Sequence, residues 1–462
     1  KWTIGNSLSG TKAGFILNGG TLDTAGFDMG TAGDSEDARF NGGTFTNSGT
    51  TTSTVRGAGV YFTQSTTIST PNATGHLDLS KVGYTYGSTI AGITITKTGP
   101  GDLHFRSSFT DAGATPSFYP KDYIVNVSAG NLWYDNYSNA GGFAGTYSIA
   151  TGSTMYLNIP TTKNVTGNIT GGGSVVLKTS ATLSGANTYT GGTTVLNGAT
   201  LTFGSAAVMS GNTITSGPIG TGALTLGDAN SSGVVNLNSY ALLPNNVIIN
   251  GTSQIQSGTL NSAQVISGTI SDGINAGKGL TFSFSSVSPG KTMEIVGNNT
   301  YTGASTINGN ATSSLIVSNS NALGIGSAGI TLGTYTALML KGGITLSKPI
   351  TMTNNDTLGS LSGDNTIAAA VAMSGITGFS GAGNLAINGA VTGATGTMTK
   401  SGAGMLTLAG DNNFTGIMTV SAGVLRAASN TALGSIASNI RVSSRATLEL
   451  GGPSSPSGIA IG

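Results

Sequence analysis

The sequence predicts an all-β protein, a right-handed parallel β-helix (β-solenoid) with about 20–25 residues in each coil. Three observations predict this fold: glycine recurs throughout the chain, strand-like runs are short, and motifs repeat at two scales. There are 75 glycines among 462 residues. Because glycine inside a helix costs about 1 kcal/mol relative to alanine, long helices are disfavoured.

The strand-like runs alternate apolar and polar residues. Examples are ITI at 93–95, LTF at 201–203 and LTL at 406–408. Alternation with threonine and β-branched residues is typical of strands, and glycine or asparagine turns bound each run. Such short strands fit a sandwich, a barrel or a solenoid, and the repeats favour the solenoid.

The longer repeat is a motif that occurs three times. It reads SGANTYTGGTTV at 184–195, VGNNTYTGASTI at 296–307 and AGDNNFTGIMTV at 409–420. Its aromatic residues, at nearly equal spacings, are Tyr189, Tyr301 and Phe414. The glycines two positions later are Gly191, Gly303 and Gly416. In a stacked solenoid we expect the aromatic residues to point inward and the glycines to occupy crowded turns.

Two further similarities support stacked coils. NGGTL at 18–22 resembles NGGTF at 41–45, a period that suits one coil of three short strands and three turns. KTGPGDLHF at 97–105 resembles KSGAGMLTL at 400–408, and a VSAG segment follows each of them.

The repeats predict five regions along the chain. Residues 1–95 form divergent N-terminal coils, and residues 96–175 form a degenerate repeat with an aromatic-rich insertion. Two repeat units follow at 176–293 and 294–399, and residues 400–462 form a partial C-terminal unit.

Composition excludes several classes of function. Only 8% of residues are charged and the formal net charge is +1, without the basic stripe that nucleic-acid binding needs. The chain has no cysteine, which excludes disulfides, a cysteine zinc site and a cysteine nucleophile. No apolar stretch is long enough to predict a membrane-spanning segment. A surface of threonine, serine and asparagine favours an extracellular location.

The segments at 184–203 and 400–425 resemble the autotransporter-associated β-strand repeat. This repeat occurs in passenger regions of bacterial type V secretion proteins and in other large bacterial surface proteins. The resemblance implies a β-helical passenger that is exported and then displayed on the bacterial outer surface or released. It marks architecture and export, and it implies no catalytic activity.

Two groups of polar residues are candidate sites. Asp34, Glu36 and Asp37 could bind Ca²⁺ or act as a carboxylate pair on a glycan, but a solvated loop is the simpler interpretation. The two histidines, His76 and His104, are about one coil apart and could lie near each other. We interpret both histidines as ordinary structural residues, because no motif context accompanies them.

An aromatic-rich stretch is the main irregularity and a candidate contact surface. Its members are Phe118, Tyr119, Tyr123, Trp133, Tyr134 and Tyr137. The stretch could stack on sugar rings, cover a widened coil as core or lid, or contact another subunit.

These observations predict an extracellular structural β-solenoid without enzymatic activity, cofactor or bound metal. It would serve as the passenger or stalk of a bacterial surface adhesin, or as a subunit of a cell-surface filament. The alternative is a polysaccharide-degrading β-helix enzyme or a glycan-binding module. The expected partners are copies of the chain itself, head to tail, and host or matrix glycans, but not nucleic acid.

Overall fold

The computed structural model describes residues 15–29, 37–55, 59–80, 82–83, 92–106, 123–135, 143–159, 162–238, 240–258, 263–284, 290–309, 313–393, 396–435 and 439–451. Within these ranges the chain forms strands and turns and no helix, so no helical segment there could cross a membrane. The chain divides into two compact units, Lys1–Thr225 and Leu226–Gly462.

The strands of the first unit form four groups of neighbours and one hairpin. The first group contains β1 (Phe15–Leu17), β3 (Asp37–Asn41), β6 (Gly59–Gln64) and β9 (Val82–Gly83). The second contains β2 (Thr21–Asp23), β4 (Thr44–Thr46), β7 (Thr66–Ser69), β10 (Ile93–Thr98), β12 (Tyr123–Val127), β14 (Thr146–Ile149) and β17 (Ile169–Thr170). The third, which carries the polar cluster described below, contains β5 (Thr52–Val55), β8 (His76–Ser80), β11 (Asp102–Arg106), β13 (Asn131–Asp135), β15 (Thr154–Asn158), β18 (Ser174–Leu177) and β20 (Thr193–Val195). The fourth contains β16 (Lys163–Val165), β19 (Ala181–Leu183) and β21 (Thr200–Phe203), and the hairpin is β22 (Val208–Ser210) with β23 (Thr213–Ser216).

The second unit has three long groups and one short pair, and β24 (Leu224–Leu226) includes the residues at the boundary. One group contains β25 (Val234–Asn236), β28 (Ser253–Gln256), β31 (Leu280–Ser283), β33 (Ser305–Asn308), β35 (Ile330–Leu332), β38 (Ile350–Met352), β41 (Val371–Met373) and β44 (Val391–Thr392). Another contains β26 (Leu242–Leu243), β29 (Gln264–Ile266), β32 (Thr292–Ile295), β34 (Ser313–Val317), β36 (Thr336–Lys341), β39 (Asp356–Ser362), β42 (Thr377–Ser380), β45 (Met398–Lys400), β47 (Met418–Val420) and β49 (Ile440–Val442). The third contains β37 (Thr345–Leu346), β40 (Asp364–Ile367), β43 (Asn384–Ile387), β46 (Met405–Leu408), β48 (Gly423–Ala427) and β50 (Ala446–Leu450), and the short pair is β27 (Val247–Ile249) with β30 (Ile270–Asp272).

Parallel pairing between successive coils confirms the predicted β-solenoid. Leu132 lies opposite Met155 in the first unit, and Leu385 lies opposite Leu406 in the second. Hydrogen-bonded residues in adjacent coils are 18 positions apart at Ile169 and Asn187 and 30 apart at Ile68 and Thr98. Coil length therefore varies on both sides of the predicted range, because turns of different length separate strands of similar length.

Inward-facing side chains form the core of each unit. Burial alternates along β10 and β12, as the two-residue period of a strand requires. On the third group of the first unit one inward row stacks coil upon coil through Leu77, Leu103, Leu132, Met155 and Val175. All five are fully buried. Stability therefore accumulates from apolar side chains that each cover their counterpart in the next coil.

A buried lysine explains the similarity between KTGPG and KSGAG. Lys97 ends its inward row, and its Nζ donates to the carbonyl oxygens of Thr98, Gly99 and Ala129 at 2.8, 2.7 and 3.1 Å. Lys400 donates in the same way to Ser401, Gly402 and Ala422 at 3.1, 2.9 and 3.0 Å. Each amine thus joins the turn that follows it to the turn of the next coil.

The buried amine of Lys97 predicts that stability depends on pH. Burial lowers the pKa of Lys97 from 10.5 to about 8, and the charge of Asp102 opposes this shift. Between these values the unfolded chain binds more protons than the folded chain, so the free energy of unfolding should rise with pH. We expect denaturant unfolding to show this rise for the native chain relative to Lys97→Met. Lys163→Met, at a partly exposed position of the same unit, controls for the loss of one positive charge. Parallel curves for the native chain and Lys97→Met would contradict this prediction.

Candidate functional site

The three motif copies build the same structural junction around a buried asparagine. These residues, Asn187, Asn299 and Asn412, each precede the aromatic residue by two positions and are at most 5% exposed. Because the amide group carries both donors and an acceptor, a buried asparagine must find partners for each. The three junctions satisfy this requirement in the same way.

Each asparagine bridges the coil before it and the coil after it. Asn299 Oδ1 accepts the N–H of Ile270 at 2.7 Å, and its Nδ2 donates to the carbonyl oxygen of Ala322 at 2.6 Å. The equivalent contacts join Ile169, Asn187 and Pro218 at 2.7 and 2.6 Å, and Val391, Asn412 and Ala432 at 2.7 and 2.7 Å. One side chain therefore connects three successive coils through backbone groups.

The aromatic residue of each junction is at most 1% exposed, and the residue four positions later varies with its chemistry. The hydroxyl of Tyr189 bonds Thr193 Oγ1 at 2.5 Å, and that of Tyr301 bonds Ser305 Oγ at 2.7 Å. In the third copy Phe414 has no hydroxyl, and the residue four positions later is the buried Met418. The residue four positions after the aromatic one is therefore a hydroxyl residue where that aromatic is tyrosine and an apolar residue where it is phenylalanine.

The junction glycines of the first two copies lie where neighbouring backbone leaves no room for a side chain. A side-chain carbon at Gly303 would collide with the carbonyl oxygen of Lys278. Gly191 is similarly placed against Gly173, and Gly416 is buried. A second glycine, Gly324, has φ +81° and packs against the carbonyl oxygen of Tyr301. The repeated Ala-Leu-Gly at 322–324 and 432–434 was the signal for this position.

A second feature is a polar cluster on the outward side of the third strand group in the first unit. Strands β8, β11, β13 and β15 are neighbours in register. Asp78 therefore lies beside His104, His104 beside Trp133, and Trp133 beside Tyr156. Uneven coil lengths bring these residues together although no compact motif links them in the sequence.

Both histidines belong to this histidine–aspartate cluster. His76 Nδ1 is 3.5 Å from Asp102 Oδ2, and His104 Nε2 is 3.9 Å from the same oxygen. The other ring nitrogen of His104, Nδ1, is 2.6 Å from Asp135 Oδ2. His76, Asp102 and His104 each offer one ligand atom, and these atoms lie within 4.8 Å of one another, so the three residues could hold a metal ion.

The remaining contacts orient the carboxylates. Asp102 accepts a hydrogen bond from Asn131 at 2.8 Å on one oxygen and from the Trp133 indole at 3.1 Å on the other. Asp135 accepts a hydrogen bond from Asn158 at 3.0 Å. Asp78 pairs with the Arg106 guanidinium at 3.2 Å, and that guanidinium is 3.6 Å from Asp135.

These contacts shift the acidities of the cluster. Burial opposes the charge of His104, but the carboxylates of Asp102 and Asp135 outweigh it and raise the imidazole pKa above 6.5. Burial also opposes ionisation of Asp102 and Asp135, yet the neighbouring His104 imidazole and the amides of Asn131 and Asn158 hold both pKa values below 3.8. Burial raises the pKa of Asp78 despite the nearby His104 and Arg106.

An aromatic stack borders the cluster. The rings of Trp133 and Tyr156 are nearly parallel and stack with their centroids 3.8 Å apart. His104 stacks on the other side of Trp133, with ring centroids 5.3 Å apart. The Lys178 amine lies 4.8 Å from the Trp133 centroid. The stack keeps the imidazole plane of His104 parallel to the indole.

The structure divides the other candidate residues between several environments. Tyr123 and Tyr134 of the aromatic stretch are buried in the core, whereas Trp133 faces outward. Phe118, Tyr119 and Tyr137 lie outside the described residues, as do Asp34 and Glu36. Asp37 begins strand β3.

Sequence reasoning missed the carboxylates and the guanidinium around the histidines. The signal was present in three strands, HLDLS at 76–80, DLHFR at 102–106 and NLWYD at 131–135. Each strand places polar residues at alternate positions, so stacking the strands one coil apart aligns the charges. Intervals of unequal length between these strands hid the alignment.

Comparison with known proteins identifies the repeat. A family model described as Passenger-associated-transport-repeat matches residues 170–203, 292–309 and 398–427. No curated protein and no solved structure shows significant similarity to the chain. The matched segments contain Asn187, Asn299 and Asn412, and the match confirms the predicted autotransporter-type repeat. The chain is therefore a β-solenoid with passenger-like structural repeats.

Proposed function

We propose that the chain is the exported passenger or stalk of a bacterial surface adhesin. The observation that carries this proposal is the match of the passenger repeat to the three junctions, where one asparagine joins three coils. A stalk must resist unfolding without help from ligands, and such junctions hold neighbouring coils together at regular intervals.

The composition supports an extracellular location. The chain lacks cysteine, so folding after export needs no disulfide chemistry. Only 8% of residues are charged, and hydroxyl and amide groups supply most of the polar surface. A stack of coils can also fold progressively from one end, because each coil uses its neighbour as a template.

Surface display tests the proposal. The chain is placed between an export signal and an outer-membrane translocator in a bacterial host, and intact cells are probed with antibody and protease. We expect display of the native chain and a several-fold loss for the triple variant Asn187→Ala, Asn299→Ala and Asn412→Ala. Failure of the native chain to reach the surface, while an unrelated passenger does so, would overturn the proposal.

Sedimentation of the purified chain separates a stalk from a filament subunit. A stalk stays a single particle as concentration rises, whereas end-to-end association through exposed strand edges produces growing polymers. Formation of such polymers would show that the chain acts as a filament subunit and not as a stalk.

A further inference from the structure

We propose that His76, Asp102 and His104 bind a divalent transition-metal ion, and that zinc suits this ligand set best. The proposal concerns a site on the outward side of β8 and β11 and does not depend on the adhesin role. Two imidazoles and one carboxylate are a ligand combination that zinc accepts.

The spacing of the ligand atoms fits one ion. Zinc–nitrogen and zinc–oxygen bonds of about 2.0–2.2 Å place tetrahedral ligands about 3.3 Å apart. The measured separations from Asp102 Oδ2 are 3.5 Å to His76 Nδ1 and 3.9 Å to His104 Nε2. Small side-chain rotations therefore close the site without moving the strands.

The surrounding residues hold the ligands in the orientation that a metal needs. The Asp135 carboxylate is hydrogen-bonded to Nδ1 of His104 at 2.6 Å. The other ring nitrogen, Nε2, therefore points toward Asp102. A carboxylate behind a metal-binding histidine fixes the ring and increases its basicity. Asn131 and Trp133 fix the Asp102 carboxylate in the same way.

Charge and unmet hydrogen bonding favour a cation. Three carboxylates, Asp78, Asp102 and Asp135, lie within 4 Å of the His104 ring nitrogens. The Arg106 guanidinium pairs with Asp78 and Asp135, and Asp102 contacts the two histidines. Asp78 is only 4% exposed. Within the described part of the chain, Asp78 Oδ1 accepts no hydrogen bond, and His76 Nδ1 takes part in none. A divalent ion bound between the two imidazoles adds positive charge next to the Asp102 carboxylate, which has no guanidinium partner among the described contacts.

The site is open on one side. The side chain of His76 is 35% exposed, whereas those of Asp102 and His104 are 16% and 13% exposed. An ion can therefore enter from solvent past His76. Three protein ligands leave the fourth position of a tetrahedral zinc ion to water.

Calorimetric titration of the chelator-treated full chain with zinc sulfate tests the proposal. We expect one ion per chain, loss of binding in His76→Gln, and a loss of affinity of about 10–100-fold in Asp135→Asn. Asp23→Asn, an exposed carboxylate in the same unit, should leave binding unchanged. Substituting Co²⁺ should give the visible absorption bands of a tetrahedral nitrogen–oxygen site.

Two results would overturn the proposal. One is the absence of stoichiometric zinc binding by the folded native chain. The other is unchanged binding in His76→Gln, because that histidine is the most exposed ligand and its replacement should preserve the fold. Circular dichroism of each variant establishes that the chain is folded, so loss of binding then reports on the ligand.

Discussion

Asn299→Ala should lower the free energy of unfolding of the second unit by about 2–6 kcal/mol. The substitution leaves the N–H of Ile270 and the carbonyl oxygen of Ala322 without their partner, and each buried unsatisfied group costs about 1–3 kcal/mol. These groups lie in the coils on either side of Asn299, so the loss should loosen three coils together. Denaturant unfolding measures the total loss.

Hydrogen exchange locates the loss, because unfolding of a repeat array is not confined to one cooperative step. We expect faster exchange at 264–272 and 319–325 in Asn299→Ala. The neighbouring Asn298 is exposed and provides the matched control, and Asn298→Ala should change stability by less than about 0.5 kcal/mol. Equal effects of the two substitutions would show that the buried bridge does not contribute to stability.

Gly324→Ala should lower the free energy of unfolding by more than about 2 kcal/mol. The left-handed backbone at φ +81° costs about 1–2 kcal/mol for a residue with a side chain. The added carbon also collides with the carbonyl oxygen of Tyr301, which accepts the N–H of Ile325 at 3.1 Å. The turn must therefore move away from the junction and weaken that hydrogen bond.

Gly329→Ala is the control for this second substitution. Gly329 has no positive φ, and the nearest atom to an added carbon is the Pro349 carbonyl oxygen at 3.3 Å. We expect a small change in the midpoint of thermal unfolding for Gly329→Ala and a fall of several degrees for Gly324→Ala. If Gly324→Ala unfolds at the native temperature, the turn accommodates a side chain and its geometry does not limit stability.

The junctions show which structural features local sequence patterns can predict and which they cannot. Repetition predicted that Tyr189, Tyr301 and Phe414 are equivalent and point inward, and in the structure the three side chains are at most 1% exposed. Their asparagine neighbours were visible in the same motif, but their bridging role was not. The backbone donor and acceptor that each asparagine uses belong to other coils; for Asn299 the donor lies 29 positions away and the acceptor 23 positions away.

The buried lysines, Lys97 and Lys400, are a second example of a feature that the sequence indicated only in part. The similarity of the segments at 97–105 and 400–408 indicated a shared structure. The reason that both segments begin with lysine was not evident from the sequence. Two of the carbonyl groups that Lys97 contacts are local, but the third, that of Ala129, lies 32 positions away. Only the stacked turns reveal that a buried amine links them.

Local sequence patterns were sufficient to predict a β-solenoid with a motif repeated three times, because alternation and turn residues act within a few positions of the chain. The three-dimensional arrangement was needed to show that Asp102 and Asp135 join His76 and His104 on one outward surface. Their meeting depends on which residues pair across adjacent coils. That register is set by inward packing and by intervals of unequal length, which no local pattern encodes.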